Sequence, residues 1–150
     1  MTVPSENAQV IHLAEENDGD LKVMLEDKGR NVSPRTVTEL IRACRAADHA
    51  GECYQQFNDL LEQLNQWVEQ YRSRLRSASL AIRNSDLLFL VVQRETHFDE
   101  ELSELLTDLD LELSRSDRFD MLRVNTLALP RCPREDVEQF FGIGYSEVGQ

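Results

Sequence analysis

The chain lacks the sequence features that identify membrane proteins and several common enzyme classes. Its longest uninterrupted apolar run is LLFLVV at 87–92, far below the roughly 18 residues that a membrane span needs. It contains no GxGxxG after a strand, no GxxxxGK[ST], no HExxH and no GxSxG, so the local signatures of nucleotide loops, zinc proteases and serine hydrolases are missing. The sequence therefore predicts no membrane association and no nucleotide-cradling glycine loop.

Basic residues are scarce relative to acidic ones. The chain has 16 Lys and Arg against 28 Asp and Glu, a formal net charge of −12. The acidic excess lies outside residues 33–83, a segment that is close to neutral. An acidic field repels phosphate backbones, which argues against nucleic acid as a partner, and a near-neutral segment suits contact with another protein surface.

Cysteine is also rare, and its spacing fits neither a disulfide framework nor a zinc site. Cys44, Cys53 and Cys132 form an odd set without CxxC spacing, and no Lys or Arg occurs in the first twenty residues. We therefore expect free thiols in a reducing cytoplasm. On a helix Cys44 would point away from His49, so this cluster predicts no metal site, and nothing in the sequence indicates a cofactor.

The strongest pattern present is an apolar seam. Ser33-Pro34 resembles a helix start, and from Leu40 to Ile82 apolar or small residues recur in steps of three and four. This predicts a long coiled-coil-like helix over about 34–83, about 75 Å in length, which a small sheet could not cover. A bent helix, or a helical hairpin broken near Gly51, is the alternative. The bulky second half of the seam is the expected interface: Tyr54, Phe57, Leu61, Leu64, Val68, Tyr71 and Leu75.

A βαβ unit is predicted over residues 86–129. The run at 87–92 is typical of a strand buried on both faces, and a second strand follows at 121–129, ended by Pro130. Between them Thr96-x-x-Asp99 matches a helix-start box, and the following helix (98–114) has two different faces. Its leucines are expected to face the sheet and its acids the water: Glu100, Glu101, Glu104, Asp108 and Glu112.

The two ends of the chain are less regular. Residues 9–28 suit a β-hairpin turning at Asp18-Gly19 or an acidic, partly disordered arm, and both interpretations stay open. Pro133 opens a short helix over 133–141. We expect one mixed α/β domain over 9–142, with flexible ends at 1–8 and 143–150.

The carboxyl ends of the two parallel strands are where ligands collect in such sheets. Arg94 and His97 follow the first strand, and Arg131 and Cys132 follow the second. Cys132 precedes a helix N-terminus, a position that lowers a thiol pKa. His97 and Cys132 are therefore the candidate catalytic pair, and Arg94 and Arg131 are the candidate anion-binding residues.

Two functions follow from these patterns. The first is a non-enzymatic cytoplasmic interaction or regulatory protein, which forms a homodimer or binds a partner helix through the 40–82 seam. The second is a small enzyme or anion-binding domain that uses His97, Arg131 and Cys132. The missing catalytic signatures favour the first.

Overall fold

The computed structural model describes residues 9–17, 20–23, 40–41, 44, 50–82 and 86–139. Over these residues the chain is a mixed α/β protein, with a five-stranded sheet and two long helices packed on one of its faces. The strands are β1 (Gln9–Asn17), β2 (Asp20–Val23), β3 (Leu75–Ile82), β4 (Leu87–Gln93) and β5 (Val124–Leu129). The helices are α1 (Ala50–Gln70), α2 (Glu100–Arg115) and α3 (Arg134–Gln139), with short 3₁₀ turns at Arg72–Arg74 and Asp117–Phe119.

The sheet runs in the order β2-β1-β3-β4-β5, and only its last pair is parallel. β4 and β5 pair from Leu87↔Val124 to Val92↔Leu129 and are joined through α2, which is the βαβ unit that the sequence predicted. β1 and β2 pair antiparallel up to Asn17↔Asp20. Of the two interpretations of the N-terminal segment, the structure has the hairpin, with its strands over 9–17 and 20–23; residues 18–19 and 24–28 lie outside the described residues.

The prediction of one long helix over 34–83 is wrong. α1 ends at Gln70, and the last part of the seam, Leu75–Ile82, is strand β3. β3 pairs antiparallel with β1 on one side and β4 on the other, so hydrogen bonds from both neighbours stabilise the extended backbone over a helical one. The proposed helix start at Ser33-Pro34 lies outside the described residues.

The main core lies between the sheet and the two long helices. α1 contributes seven buried residues: Cys53, Phe57, Leu60, Leu61, Leu64, Trp67 and Val68. They face alternate side chains of the strands, among them Leu80, Phe89 and Val91. Trp67 meets Phe89 edge to face, with ring centroids 5.7 Å apart, an arrangement that aromatic quadrupoles favour. The apolar stripe of α1 is thus covered by the chain's own sheet.

α2 has the two faces that the sequence predicted. Its core leucines (Leu102, Leu106, Leu109 and Leu113) are buried, and its acids at 100, 101, 104, 108 and 112 are exposed. The helix start differs from the prediction, because Asp99 and not Thr96 is the N-cap. The Asp99 carboxylate accepts a hydrogen bond of 3.0 Å from the Leu102 N–H, which satisfies one of the unpaired donors of the first turn.

The opposite face of the sheet has a smaller apolar cluster. Ala81 and Leu90 are buried there, and half-buried side chains pack around them: Val10, Leu88, Leu127, Leu129 and Val137 of α3. α3 covers Arg134–Gln139, within the predicted 133–141, while residues 140 and 141 lie outside the described part of the chain. Within the described part of the chain, this face therefore has the smaller apolar cluster of the two.

The expectation of free thiols is wrong for two of the three cysteines. Cys44 and Cys53 form a disulfide with their Cα atoms 6.4 Å apart, within the usual range for such bonds. Cys53 is fully buried and Cys44 nearly so. The bond ties Cys44 to the first turn of α1, a restraint between positions nine apart that spacing alone does not reveal. Cys132 is the free cysteine of the described residues.

Candidate functional site

The carboxyl ends of β1, β4 and β5 lie at the same end of the sheet. The residues that follow β4 and β5 meet there, because the Arg131 N–H donates to the Glu95 carbonyl (3.3 Å) and Arg131 Nη1 donates to the Arg94 carbonyl (3.2 Å). Arg94 Nε donates to the Leu75 carbonyl at 3.3 Å. Both candidate anion-binding arginines therefore use guanidinium N–H groups to bind backbone carbonyls of neighbouring segments.

Glu16, near the end of β1, forms ion pairs with two arginines at this end of the sheet. Its carboxylate lies 3.4 Å from Arg131 Nη2 and 3.6 Å from Arg76 Nε, and its side chain is only 16% exposed. Arg76 Nη1 also donates to the Cys132 carbonyl at 2.8 Å. A carboxylate held between two guanidinium groups occupies the position that a bound anion would need, so the cluster is an internal ion-pair network.

The loop after β4 is organised by a buried amide. Gln93 is 2% exposed, and its Nε2 donates to the Glu95 carbonyl at 2.9 Å and to the His97 carbonyl. Its Oε1 accepts from the Asp99 N–H at 3.1 Å. Arg74 then bridges to Asp99 (3.1 Å) and to Glu101 (2.8 Å). These bonds fix the backbone of the loop and use its polar groups internally.

The candidate catalytic residues His97 and Cys132, both described, do not contact each other through a hydrogen bond. The His97 side chain is exposed. Burial raises the pKa of the Cys132 thiol above its usual value, Asp136 raises it further, and Arg76 has a smaller opposite effect. The direction is opposite to the one expected from a helix N-terminus, because α3 has only six residues and the local desolvation is the larger influence.

We predict that Cys132 is a slow nucleophile. Because the thiolate is the reactive form, a raised pKa lowers its fraction at every pH below the pKa. Alkylation of the native chain by iodoacetamide at pH 6 to 8 is therefore expected to be slower than that of glutathione at the same pH. A faster reaction at pH 6 would contradict this and favour an activated cysteine; Cys132→Ser is the control that assigns the signal.

The seven predicted interface residues pack in the core of their own chain. Phe57, Leu61, Leu64, Val68 and Leu75 are at most 1% exposed. Tyr54 and Tyr71 are half-buried and pack on the same core. The structure brings these residues together, but with the sheet as their neighbour. The helical spacing alone contained no signal that distinguishes the two situations.

Metal ligation finds no support in the described ranges. Within them no group of three or more His, Cys, Asp or Glu could hold a metal ion. Cys44 and Cys53 are bonded to each other, and His49 lies outside the described residues. The acids of α2 are spread along an exposed helix face, the usual arrangement of a solvated charged surface.

Comparison with known proteins gives no relative from which a function could be transferred. Protein-family models, curated proteins and solved structures all give no match to this chain. Within the described residues, no helix combines the length and apolar composition required to cross a membrane. The functional interpretation therefore depends on the surfaces and sites described above.

Proposed function

We propose that this chain is a non-enzymatic interaction protein that self-associates, and that the edge strand β5 is its contact surface. The seam on α1 is not available for this role, since its side chains form the main core. Association therefore has to use another surface. An open sheet edge is one of the few that offers both unpaired backbone groups and specificity.

The observation that carries this proposal is the difference between the two edges of the sheet. β2 is four residues long and contains Asp20 and Lys22, a short and charged edge of the kind that prevents strand addition. β5 is six residues long, with the sequence VNTLAL, and has neither charge nor proline. Among the described strands, β4 is its one neighbour. An edge strand of this length without charge or proline favours pairing with a further strand.

The alternative, an enzyme or anion-binding domain around His97, Arg131 and Cys132, is less well supported. Arg131 is engaged by Glu16 and by backbone carbonyls, and the raised pKa of Cys132 disfavours its thiolate.

Cytoplasmic localisation is part of our proposal as well. It is tested by the thiol state of Cys44 and Cys53 in cells, discussed below.

A charge introduced into β5 is expected to prevent association. Lysine on an edge strand disfavours strand addition, and in a symmetric pair each change acts twice. We expect Thr126→Lys to raise the dissociation constant of the assembly about tenfold or more, a change of about 1.4 kcal/mol. Light scattering over a dilution series measures it. Asn125→Lys, at an exposed position on the other face of the strand, is a second variant with the same expected effect.

Gln66→Lys, which makes the same charge change on the exposed side of α1, is the matched control for Asn125→Lys; Thr126 is half-buried, so the melting temperature of Thr126→Lys is measured as well. Gln66→Lys is expected to keep the mass and melting temperature of the original chain. A monomeric mass of 17.3 kDa for the unchanged chain at tens of micromolar would overturn the proposal. Equal weakening by Gln66→Lys and Thr126→Lys would show that β5 is not the contact surface.

A further inference from the structure

We infer that the partner of β5 is the β5 of a second copy, added antiparallel about a twofold axis that also sets the two α2 helices side by side. This inference rests on the proposed function, because it specifies how self-association is built. A twofold antiparallel pair is self-complementary: each strand supplies the donors and acceptors that the other one needs.

The orientation of α2 determines which of its sides would face the second copy. Glu101 extends to Arg74, the residue before β3, with 2.8 Å between the charged atoms. Leu105 on the same flank packs on the main core. In the sheet, β3 and β5 lie on opposite sides of β4. The flank of α2 opposite to Glu101 and Leu105 therefore faces the outer edge of β5.

That opposite flank is small and has few charged residues. Steps of four, three and four residues place its members in one line: Ser103, Thr107, Asp110 and Ser114. Thr107 Oγ1 donates to the Ser103 carbonyl (3.0 Å) and Ser114 Oγ donates to the Leu111 carbonyl (3.1 Å). Because the Thr107 and Ser114 hydroxyl donors are satisfied within the helix, their burial against another helix leaves neither of them unpaired.

The distribution of charge indicates a second copy as the occupant. The whole chain carries a net charge of −12, yet β5 has no charged residue, and the adjoining flank of α2 has Asp110 and, at its N-terminal end, Glu100. The other acids of α2 lie on its outer face and on the flank next to Arg74. Two copies can therefore pair along this edge with little of the like-charge repulsion that contact between their acidic faces would cause.

The lengths of the two elements predict which residues meet. α2 follows β4 and precedes β5, so it runs antiparallel to both strands, and its 16 residues cover about 24 Å. The six residues of β5 cover about 20 Å. A twofold axis between the two β5 strands, level with their midpoints, is then also level with the middle of α2. Ser103 should then lie opposite the second copy's Ser114, and Thr107 opposite the second copy's Asp110. The two Thr107 side chains are about 4.5 Å apart along the helix axis in this register.

Crosslinking tests this arrangement. Thr107→Cys, in a Cys132→Ser background, is treated with a short bis-maleimide, and we expect a band at twice the chain mass. Gln66→Cys in the same background, also exposed, is the control and should stay at the chain mass. A mixture of Ser103→Cys and Ser114→Cys chains should crosslink more strongly than either variant alone, which only an antiparallel pair of helices predicts. Melting curves confirm that each variant is folded.

Light scattering on the same samples separates this inference from the proposed function. A monomeric mass overturns both. A dimeric mass without Thr107 crosslinks, or with equal crosslinking through Gln66→Cys, overturns the twofold β5 arrangement and leaves self-association standing. A mixture that crosslinks no better than Ser103→Cys or Ser114→Cys alone overturns the antiparallel orientation.

Discussion

Phe57→Ala is expected to lower the free energy of unfolding by about 3–5 kcal/mol. Phe57 is fully buried on α1 and is one of the largest side chains of the main core. Its removal leaves a cavity between the helix and the sheet, and tight packing around it limits how far the site can relax. Urea denaturation followed by circular dichroism measures the loss. Gln66→Ala, on the exposed side of the same helix, should change the stability by less than about 0.5 kcal/mol.

The same experiment decides between an internal and an intermolecular seam. If α1 packs on its own sheet, the loss caused by Phe57→Ala is the same at low and high protein concentration. If the seam joins two chains, as the sequence first predicted, the loss depends on concentration, because association contributes to the stability of the folded state. A loss that varies with concentration would therefore contradict the packing described here.

Reduction of the Cys44–Cys53 bond is expected to cost about 2–3 kcal/mol of stability. The two cysteines are nine positions apart, and closing a loop of that size removes conformational entropy from the unfolded chain in about that amount. Denaturation with and without a phosphine reductant, in a Cys132→Ser background, measures the effect. The double variant Cys44→Ser/Cys53→Ser should be less stable and should not respond to the reductant.

An intact mass that shows three thiols in protein purified without reductant would contradict this disulfide. The bond also bears on localisation, since stable disulfides are uncommon in a reducing cytoplasm. Trapping the thiols of Cys44 and Cys53 with an alkylating agent during cell lysis reports their state in the cell. Reduced thiols there would support the proposed cytoplasmic localisation, and an intact bond would contradict it.

The parts of the fold that the sequence predicted are those with local signals. The apolar run of β4 and the leucine spacing of α2 are each encoded within a few residues, so the βαβ unit could be read directly. The Asp18-Gly19 dipeptide indicated a hairpin, and the structure pairs Asn17 with Asp20 around it. In these cases propensity, periodicity and turn chemistry agree.

The long helix was predicted wrongly because β3 is ambiguous by its own sequence. Leu75, Ala78 and Ile82 fit a helical seam, but the small serines and alanines between them fit a period of two equally well. What decides is the pairing with β1 and β4, an interaction between distant segments. Propensity is too weak to resist such tertiary context.

The sequence predicted where the candidate site lies in the fold, but not the ion pairs or the thiol pKa of its residues. Topology alone brings Arg94 and Arg131 to one end of the sheet, and the structure has them there. The ion pair of Arg131 with Glu16 could not be anticipated, because Glu16 belongs to the hairpin and reaches this end of the sheet only through the β1–β3 pairing. The pKa of Cys132 depends likewise on burial and on Asp136, which no motif records.

The pairing of β1 with β3 also has a consequence for how the chain is made. β1 is synthesised first, yet its partner is complete only when Ile82, which pairs with Gln9, has been added. Contacts between segments so far apart form slowly, whereas β3, β4, α2 and β5 are close in sequence and can assemble first. Until the hairpin docks, β3 presents the uncharged stretch SASLAI as an open edge. The newly made chain is therefore most exposed to mispairing and aggregation in this interval.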